Sequence, residues 1–136
     1  MTRALADSSA WIRAQRSGGD LGHRTDEALR TGVLAICDPV RIELLRGARN
    51  GAHATAIDDE LSTVVTLATD AAAWRLARRT LAQLAHLPGG RHRGPSLTDI
   101  VVAATAERHG VAVLHDDDDF ELIASVTGQP VARIAG

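Results

Sequence analysis

The most informative part of the chain is the segment Val111-Ala112-Val113-Leu114-His115-Asp116-Asp117-Asp118-Asp119-Phe120, in which four apolar residues lead into four consecutive carboxylates. The apolar half predicts a buried strand. The acidic half then follows the carboxyl end of that strand, where ligands bind in α/β sheets. Four adjacent negative charges repel one another, and a hard cation such as Mg²⁺, which takes oxygen ligands, would relieve the repulsion. A solvated acidic turn is the alternative interpretation.

Outward from this segment, short apolar runs alternate with helical patterns. Further strands are predicted at 4–6, 33–36, 64–67 and 131–134. Helices are predicted after Asp7 (through Trp11 and Ile12), then at 25–30, 40–48, 54–61, 70–87, 97–108 and 119–125. Gly18-Gly19 and Gly22 are predicted to break the first of these helices from the second. Asp38 is predicted to cap the helix at 40–48, with Pro39 at its first position. This order predicts a single α/β domain over residues 1–136, with a mainly parallel central sheet flanked by helices.

Composition excludes several classes of site. All 15 basic residues are Arg, so no lysine is present to grip a phosphate or form a Schiff base. The only aromatic residues are Trp11, Trp74 and Phe120, which argues against an aromatic platform for nucleic-acid bases. A single cysteine, Cys37, permits no intrachain disulfide and is interpreted as a buried small residue. The six histidines lack zinc-ligand spacing and are interpreted as mostly surface groups.

Charge and hydropathy add two expectations. The formal charge of −2 does not indicate a nucleic-acid binder, but a single bound Mg²⁺ would neutralise it and leave the Arg residues to set the surface field. No apolar run approaches the roughly 18 residues of a membrane span, and the N-terminus meets Asp7 too early for a signal peptide. We therefore expect a cytoplasmic protein without a membrane partner.

Three carboxylates outside the acidic run fall where a site would form. Asp7 follows the first predicted strand, Glu43 lies on the helix after the second, and Asp99 lies in the first turn of the helix before 111–114. Asp7 is equally suited to cap a helix, and Asp99, three residues after Ser96, equally suits the helix dipole. Glu43 lies among apolar neighbours, where an unpaired carboxylate is costly. A functional role is therefore favoured for Glu43.

Four motifs together resemble one family. Asp7–Ile12 (Asp-Ser-Ser-Ala-Trp-Ile) resembles the opening motif of PIN-domain ribonucleases, specifically the VapC-type toxins. Ile42–Gly47 is similar to their second acidic motif, Asp99–Ala106 to their third, and Leu114–Phe120 to the closing Asp-x-Asp-Phe motif. The resemblance covers essentially the whole chain in order and spacing. It departs at three positions: His115 stands where many relatives have Thr or Ser, and Asp116 and Asp118 add charge where relatives often carry Tyr and Arg.

The resemblance implies a PIN-like fold and metal-dependent cleavage of RNA at an acidic site. In the Asp-x-Asp-Phe register, Asp117 is the ligand of the acidic run. The implied catalytic set is Asp7, Glu43, Asp99 and Asp117, of which Asp7, Asp99 and Asp117 hold Mg²⁺ or Mn²⁺, while Asp119 and Ser9 are accessory. Transfer RNA and ribosomal RNA both remain open as targets. The family also implies a homodimer and a VapB-type antitoxin, whose Arg-bearing tail blocks the acidic site.

The loop at 88–95 carries the candidate RNA contacts Arg91 and Arg93, because Arg can hold phosphates bidentately. A merely solvated loop is the alternative. The alternative function is a PIN-like protein that binds RNA or a partner without cutting it. An intact acidic quartet argues against that alternative, because a binding module has no need to tolerate such repulsion.

Overall fold

A computed structural model describes residues 1–135 as a parallel sheet flanked by helices. The strands are β1 (Ala4–Ala6), β2 (Leu34–Ala35), β3 (Ala112–His115) and β4 (Val131–Arg133). The helices are α1 (Ser8–Ser17), α2 (Gly19–Thr31), α3 (Asp38–Arg46), α4 (Gly51–Leu61), α5 (Ala71–Ala85), α6 (Leu97–His109) and α7 (Asp118–Thr127).

The strand order explains why distant acidic residues meet. The sheet runs β2-β1-β3-β4, and every pairing is parallel, which confirms the predicted α/β class. In the centre, Leu5 of β1 pairs with Val113 of β3. Asp7 continues this pairing, because its N–H donates to the Leu114 carbonyl at 2.9 Å. The residues that follow β1 and β3 therefore leave the same edge of the sheet side by side.

Helix α6 forms the centre of the helical layer. It is buried from Asp99 through Ala106, all around its circumference, because it packs against α3, α5, α7 and β3 together. A helix that is apolar on every side is typical of a protein interior. Its N-terminus carries Asp99 into that interior with only 7% of the residue exposed. The packing of α6 thus fixes the depth of this carboxylate.

Three local predictions were wrong. Helix α2 starts at Gly19, not near 25, and Gly22 lies inside it, where a Cβ would come within 3.2 Å of the Ala14 carbonyl. Glycine there permits close packing of α1 on α2 instead of ending a helix. The 64–67 run is not a strand: it makes one isolated parallel bridge, Thr66 to Ile36, which directly follows the two-residue strand β2.

The start of α3 also differs from the prediction. Cys37 in extended conformation is the N-cap, with no side-chain capping bond, and Asp38 is already helical. Asp38 still suits the positive end of the helix dipole, and Pro39 lies in the first turn as predicted. Cys37 itself is fully buried, and burial raises the pKa of its thiol to about 12.

Among residues 1–135, no helix has the length and apolar character needed to cross a membrane.

Candidate metal centre

The predicted site carboxylates lie at the ends of strands and the starts of helices. Asp7 caps α1, Asp117 caps α7, and Asp99 is in the first turn of α6, while Glu43 lies within α3. The positive ends of three helices are therefore directed at acidic side chains. Helix capping and a shared site are not exclusive, because a cap occupies one carboxylate oxygen and leaves the other available.

The tightest cluster consists of Asp99, Asp117 and Asp119. One oxygen from each lies within 4.8 Å of the other two. Asp119, which was expected as an accessory residue, therefore belongs to the closest set. Asp7 lies outside this set but near enough for its charge to raise the pKa of Asp99.

Asp99 shows the effect of this crowding most clearly. Burial, followed by repulsion from Asp7 and Asp117, raises its pKa to about 7, against weaker opposing hydrogen bonds from Ser96. Ser96 and Asp99 form a capping box, in which the Asp99 N–H donates to Ser96 Oγ at 3.1 Å. The Ser96 N–H donates back to Asp99 Oδ2 at 3.4 Å, a long bond that leaves the carboxylate weakly satisfied.

Asp7 contributes an oxygen that the protein leaves without a partner. Its Oδ2 accepts the Ser9 hydroxyl at 2.6 Å and the Ser9 N–H at 3.0 Å. Its Oδ1 is buried and has no hydrogen-bond partner among the described residues. Burial raises the pKa of Asp7, the Ser9 bonds lower it, and repulsion from Glu43 adds to the rise. A buried acceptor in this state is costly unless a cation or water reaches it.

Glu43 is held by a residue that the sequence did not identify. The Ser8 hydroxyl donates to Oε1 of Glu43, across 35 positions of sequence. Ser8 is buried in the first turn of α1, immediately after Asp7. Its neighbour Ser9 was singled out instead, and no local pattern distinguishes the two. Only the packing of α1 against α3 brings Ser8 to Glu43.

The acidic run divides into two groups. Asp117 Oδ1 accepts the Asp119 N–H at 2.9 Å, which connects two of the three members of the cluster. Burial raises the pKa of Asp119, repulsion from Asp117 and Asp118 adds to the rise, and Arg91 opposes it. Asp116 and Asp118 are instead paired with arginines: Arg13 and Arg133 contact Asp116 at 3.4 Å each, and Arg133 also contacts Asp118.

Arg91 and Arg93, the predicted RNA contacts, both lie exposed in the loop before α6. Arg91 is close enough to Asp119 to lower the pKa of that carboxyl. It therefore lies at the rim of the acidic cluster, where a phosphate approaching the site would meet a positive charge. The predicted loop between α5 and α6 is present.

A groove with a volume of about 420 Å³ is lined by Glu43 and by Thr98, the residue before Asp99. Three large apolar side chains line it although they are exposed: Ile42 (65%), Trp74 (47%) and Leu97 (72%). Asp38 and Arg46 add charge to its walls. The groove was not predicted, because its lining comes from three helices separated in sequence.

The donor set fits a hard divalent cation. The clustered groups are all carboxylates, which Mg²⁺ and Mn²⁺ prefer over softer ligands. The unpartnered Asp7 Oδ1 and the raised pKa of Asp99 both indicate negative charge that the protein itself does not compensate. The soft ligands for zinc are absent from the cluster, since Cys37 and the histidines do not belong to it.

Comparison with known proteins identifies the class. Residues 4–126 match the PIN domain family, and the chain belongs to that family. Ribonuclease VapC18 of Mycobacterium tuberculosis is 36% identical over 128 residues, which cover 94% of this chain and 92% of VapC18. Ribonuclease VapC21 of the same organism is 35% identical over 131 residues, with 96% and 92% covered. Within the PIN domain family, the chain therefore groups with the VapC ribonucleases, as the four motifs predicted.

Solved structures confirm the fold. A chain of the DNA-bound VapBC from Salmonella typhimurium superposes with a TM-score of 0.79 at 19% identity, over 99% of this chain and all of that one. A chain of VapBC-5 from Mycobacterium tuberculosis gives a TM-score of 0.64 at 24% identity, with both chains fully covered. At these identities the likeness concerns the fold alone.

Proposed function

We propose that this protein is a Mg²⁺-dependent endoribonuclease toxin, a single PIN domain over 1–136 that cleaves cellular transfer or ribosomal RNA and thereby inhibits translation and growth. The observation that carries the proposal is the close packing of Asp99, Asp117 and Asp119 beside the unpartnered Asp7 Oδ1. If these aspartates served only as helix caps, the fold would not require four carboxylates to lie close together. The ribonuclease names of its relatives support the same activity.

In this proposal the cation is held by Asp7, Asp99 and Asp117, with Asp119 as an accessory ligand. Mg²⁺ or Mn²⁺, when bound, would neutralise charge on the scissile phosphate and lower the pKa of a water. Ser9 favours the charged form of Asp7 through two hydrogen bonds, against the effect of burial. Ser8 fixes the carboxylate of Glu43 at the entrance from the groove, where that carboxylate orients the attacking water or a second ion.

RNA is held by its backbone in this proposal. Arg91, at the rim of the cluster, contacts a phosphate next to the scissile one, and Arg93 contacts a further phosphate of the same strand. Phosphate contacts of this kind position a strand without reading its bases. The choice between transfer and ribosomal RNA is therefore made elsewhere on the surface.

We further propose a VapB-type antitoxin as the protein partner, seated in the groove beside Glu43. A peptide with an Arg would pair with the acidic cluster, and its apolar residues would cover Ile42, Trp74 and Leu97, whose exposed surface is otherwise in water. The structural neighbours are chains of VapBC complexes. The active form is proposed to be a cytoplasmic homodimer, as the family implies.

Mapping of RNA ends after induced expression tests the toxin proposal and names the target. Wild type should create new ends at a defined site and arrest growth, whereas Asp99→Asn, which can still accept the Ser96 N–H, should create none. Co-expression with the adjacent small open reading frame should restore growth. RNA that co-purifies with the wild type without new ends would indicate the non-cleaving alternative instead.

A further inference from the structure

His115 is a fully buried histidine directly beside the acidic cluster. It ends β3, and its carbonyl accepts the Ile134 N–H at 2.7 Å, which ties it to the segment after β4. Its ring lies against the Phe120 ring, with the centroids 5.4 Å apart. Backbone and ring are thus both held in place, in contrast to the surface position that the sequence suggested for most histidines.

Both ring nitrogens are used, and their roles follow from the partners. Nδ1 lies 3.1 Å from the backbone nitrogen of Asp117, which can only donate. Nδ1 must therefore be the unprotonated nitrogen, and the ring proton lies on Nε2. Nε2 lies 3.0 Å from Oε1 of Glu121 and donates to it. Glu121 thereby selects the tautomer that can accept the Asp117 N–H.

These bonds form a continuous chain into the cluster. Glu121 orients the imidazole, the imidazole holds the Asp117 amide, and the Asp117 side chain holds the Asp119 amide at 2.9 Å. Two of the three clustered carboxylates therefore depend on the ring for the position of their backbone. Groups that orient metal ligands in this way commonly change metal affinity about 10- to 100-fold when they are lost.

We propose that His115 is a positioning residue, which sets the separation of the Asp117 and Asp119 carboxylates for a divalent cation through its acceptor nitrogen. The inference rests on the metal site of the proposed function. What the site requires of the His115 ring is that its Nδ1 accepts a hydrogen bond from the Asp117 N–H, two positions later in the chain. A threonine hydroxyl can supply that acceptor in an ST-turn, whereas a valine of nearly the same shape cannot.

His115→Thr and His115→Val form the matched test, with Mn²⁺ alone as the probe and no RNA present. Both variants lose the ring and its packing on Phe120, so both should lose thermal stability to a similar extent. Calorimetric titration should give a Kd for His115→Thr within about threefold of wild type and a Kd for His115→Val about tenfold weaker. Equal affinities for the two variants would overturn the inference, since only packing would then matter.

A second pair of variants acts from the exposed end of the hydrogen-bond chain and leaves the core intact. Glu121→Gln keeps an acceptor for Nε2, while Glu121→Ala removes it. Mn²⁺ affinity should be unchanged in Glu121→Gln and several-fold weaker in Glu121→Ala, and equal affinities would contradict the inference even if the His115 variants failed to fold. Failure of the wild type itself to bind Mn²⁺ would instead refute the proposed function, and the inference with it.

Discussion

Ser9 donates two hydrogen bonds to a single oxygen of Asp7: its hydroxyl lies 2.6 Å and its backbone nitrogen 3.0 Å from Oδ2. Both bonds lower the pKa of Asp7, against burial and repulsion from Glu43. The second oxygen, Oδ1, has no such partner within residues 1–135. Ser9 thus stabilises the charge of Asp7 at one oxygen and leaves the other free for a ligand.

Ser9→Ala should lower single-turnover RNA cleavage about 10- to 100-fold at pH 7, since a hydrogen bond to a charged group contributes about 1.5–3 kcal/mol. The variant also removes the acceptor for the Asp116 N–H, which lies 2.9 Å from Ser9 Oγ. Ser17→Ala, at the exposed end of the same helix, is the control and should cleave at the wild-type rate. If Ser9→Ala and Ser17→Ala cleaved RNA at equal rates, Ser9 would have no role in the site.

Asp118 and Asp119 are adjacent carboxylates with opposite surroundings, which makes them a matched pair. Asp119→Asn should weaken Mn²⁺ binding about tenfold, because it removes a ligand from the cluster. Asp118→Asn removes the same charge from a side chain that is 95% exposed and paired with Arg133, so its Mn²⁺ affinity should stay within about twofold. Calorimetry without RNA measures both. Equal weakening would mean that only the net charge of the run matters.

Metal affinity should depend on pH through Asp99. A carboxyl with a pKa of about 7 carries a proton at lower pH, and the cation must displace that proton to bind. The affinity for Mg²⁺ should fall by up to tenfold for each pH unit below 7 and level off above about pH 8. Asp99→Asn should bind weakly at every pH, without this slope. A flat profile for the wild type would show that Asp99 does not take part.

Without metal, the free energy of unfolding should depend on pH in the opposite direction to the metal affinity: it should fall as pH rises. Burial and repulsion raise the pKa of Asp99 from 3.8 to about 7, so the folded state binds the proton more tightly than the unfolded state does. The free energy of unfolding should therefore fall as pH rises from about 4 through 7. In EDTA at pH 8, Asp99→Asn should melt at or above the wild type and gain less from Mg²⁺. A lower melting temperature with an unchanged Mg²⁺ increment would indicate a helix cap and nothing more.

Arg91 should act on RNA affinity through salt-dependent phosphate contact. Arg91→Ala should weaken binding to single-stranded RNA and reduce the slope of log affinity against log salt by about one phosphate contact. Arg24→Ala, which removes an exposed cation from α2, serves as the control. Fluorescence anisotropy over a salt series, with metal left out, separates binding from cleavage. If both variants and the wild type gave the same slope of log affinity against log salt, Arg91 would not contact an RNA phosphate.

The sequence predicted the parts of the molecule that follow from local chemistry. The apolar run at 111–114 next to an acidic run indicated a strand end, and Ser96 with Asp99 three positions later indicated a helix start. Because parallel strands end at one edge of the sheet, these local features also predicted that Asp7, Asp99 and Asp117 would lie close together. In the structure Asp99 and Asp117 belong to the tightest cluster, and Asp7 lies outside it but near enough for its charge to raise the pKa of Asp99. The PIN fold followed from the same four motifs.

Features that depend on tertiary packing could not be predicted from the sequence. The bond from Ser8 to Glu43 requires α1 to lie on α3, and Gly22 could not be recognised as a contact with Ala14 from a pattern that usually ends helices. The burial of His115 depends on Phe120 and Glu121 packing around it in three dimensions. The exposure of Trp74 in a groove is likewise a product of how α3, α5 and α6 come together.

Metal-dependent cleavage at the acidic site can be measured by single-turnover cleavage of the mapped RNA target, by wild type and Asp99→Asn, with Mg²⁺ or with EDTA. We expect the wild type to cleave at one site in Mg²⁺ and EDTA to abolish this cleavage. Asp99→Asn should be slower by several orders of magnitude in Mg²⁺ while it remains folded. Cleavage at the wild-type site that persists in EDTA, or an Asp99→Asn rate equal to that of the wild type, would contradict a metal-dependent acidic site.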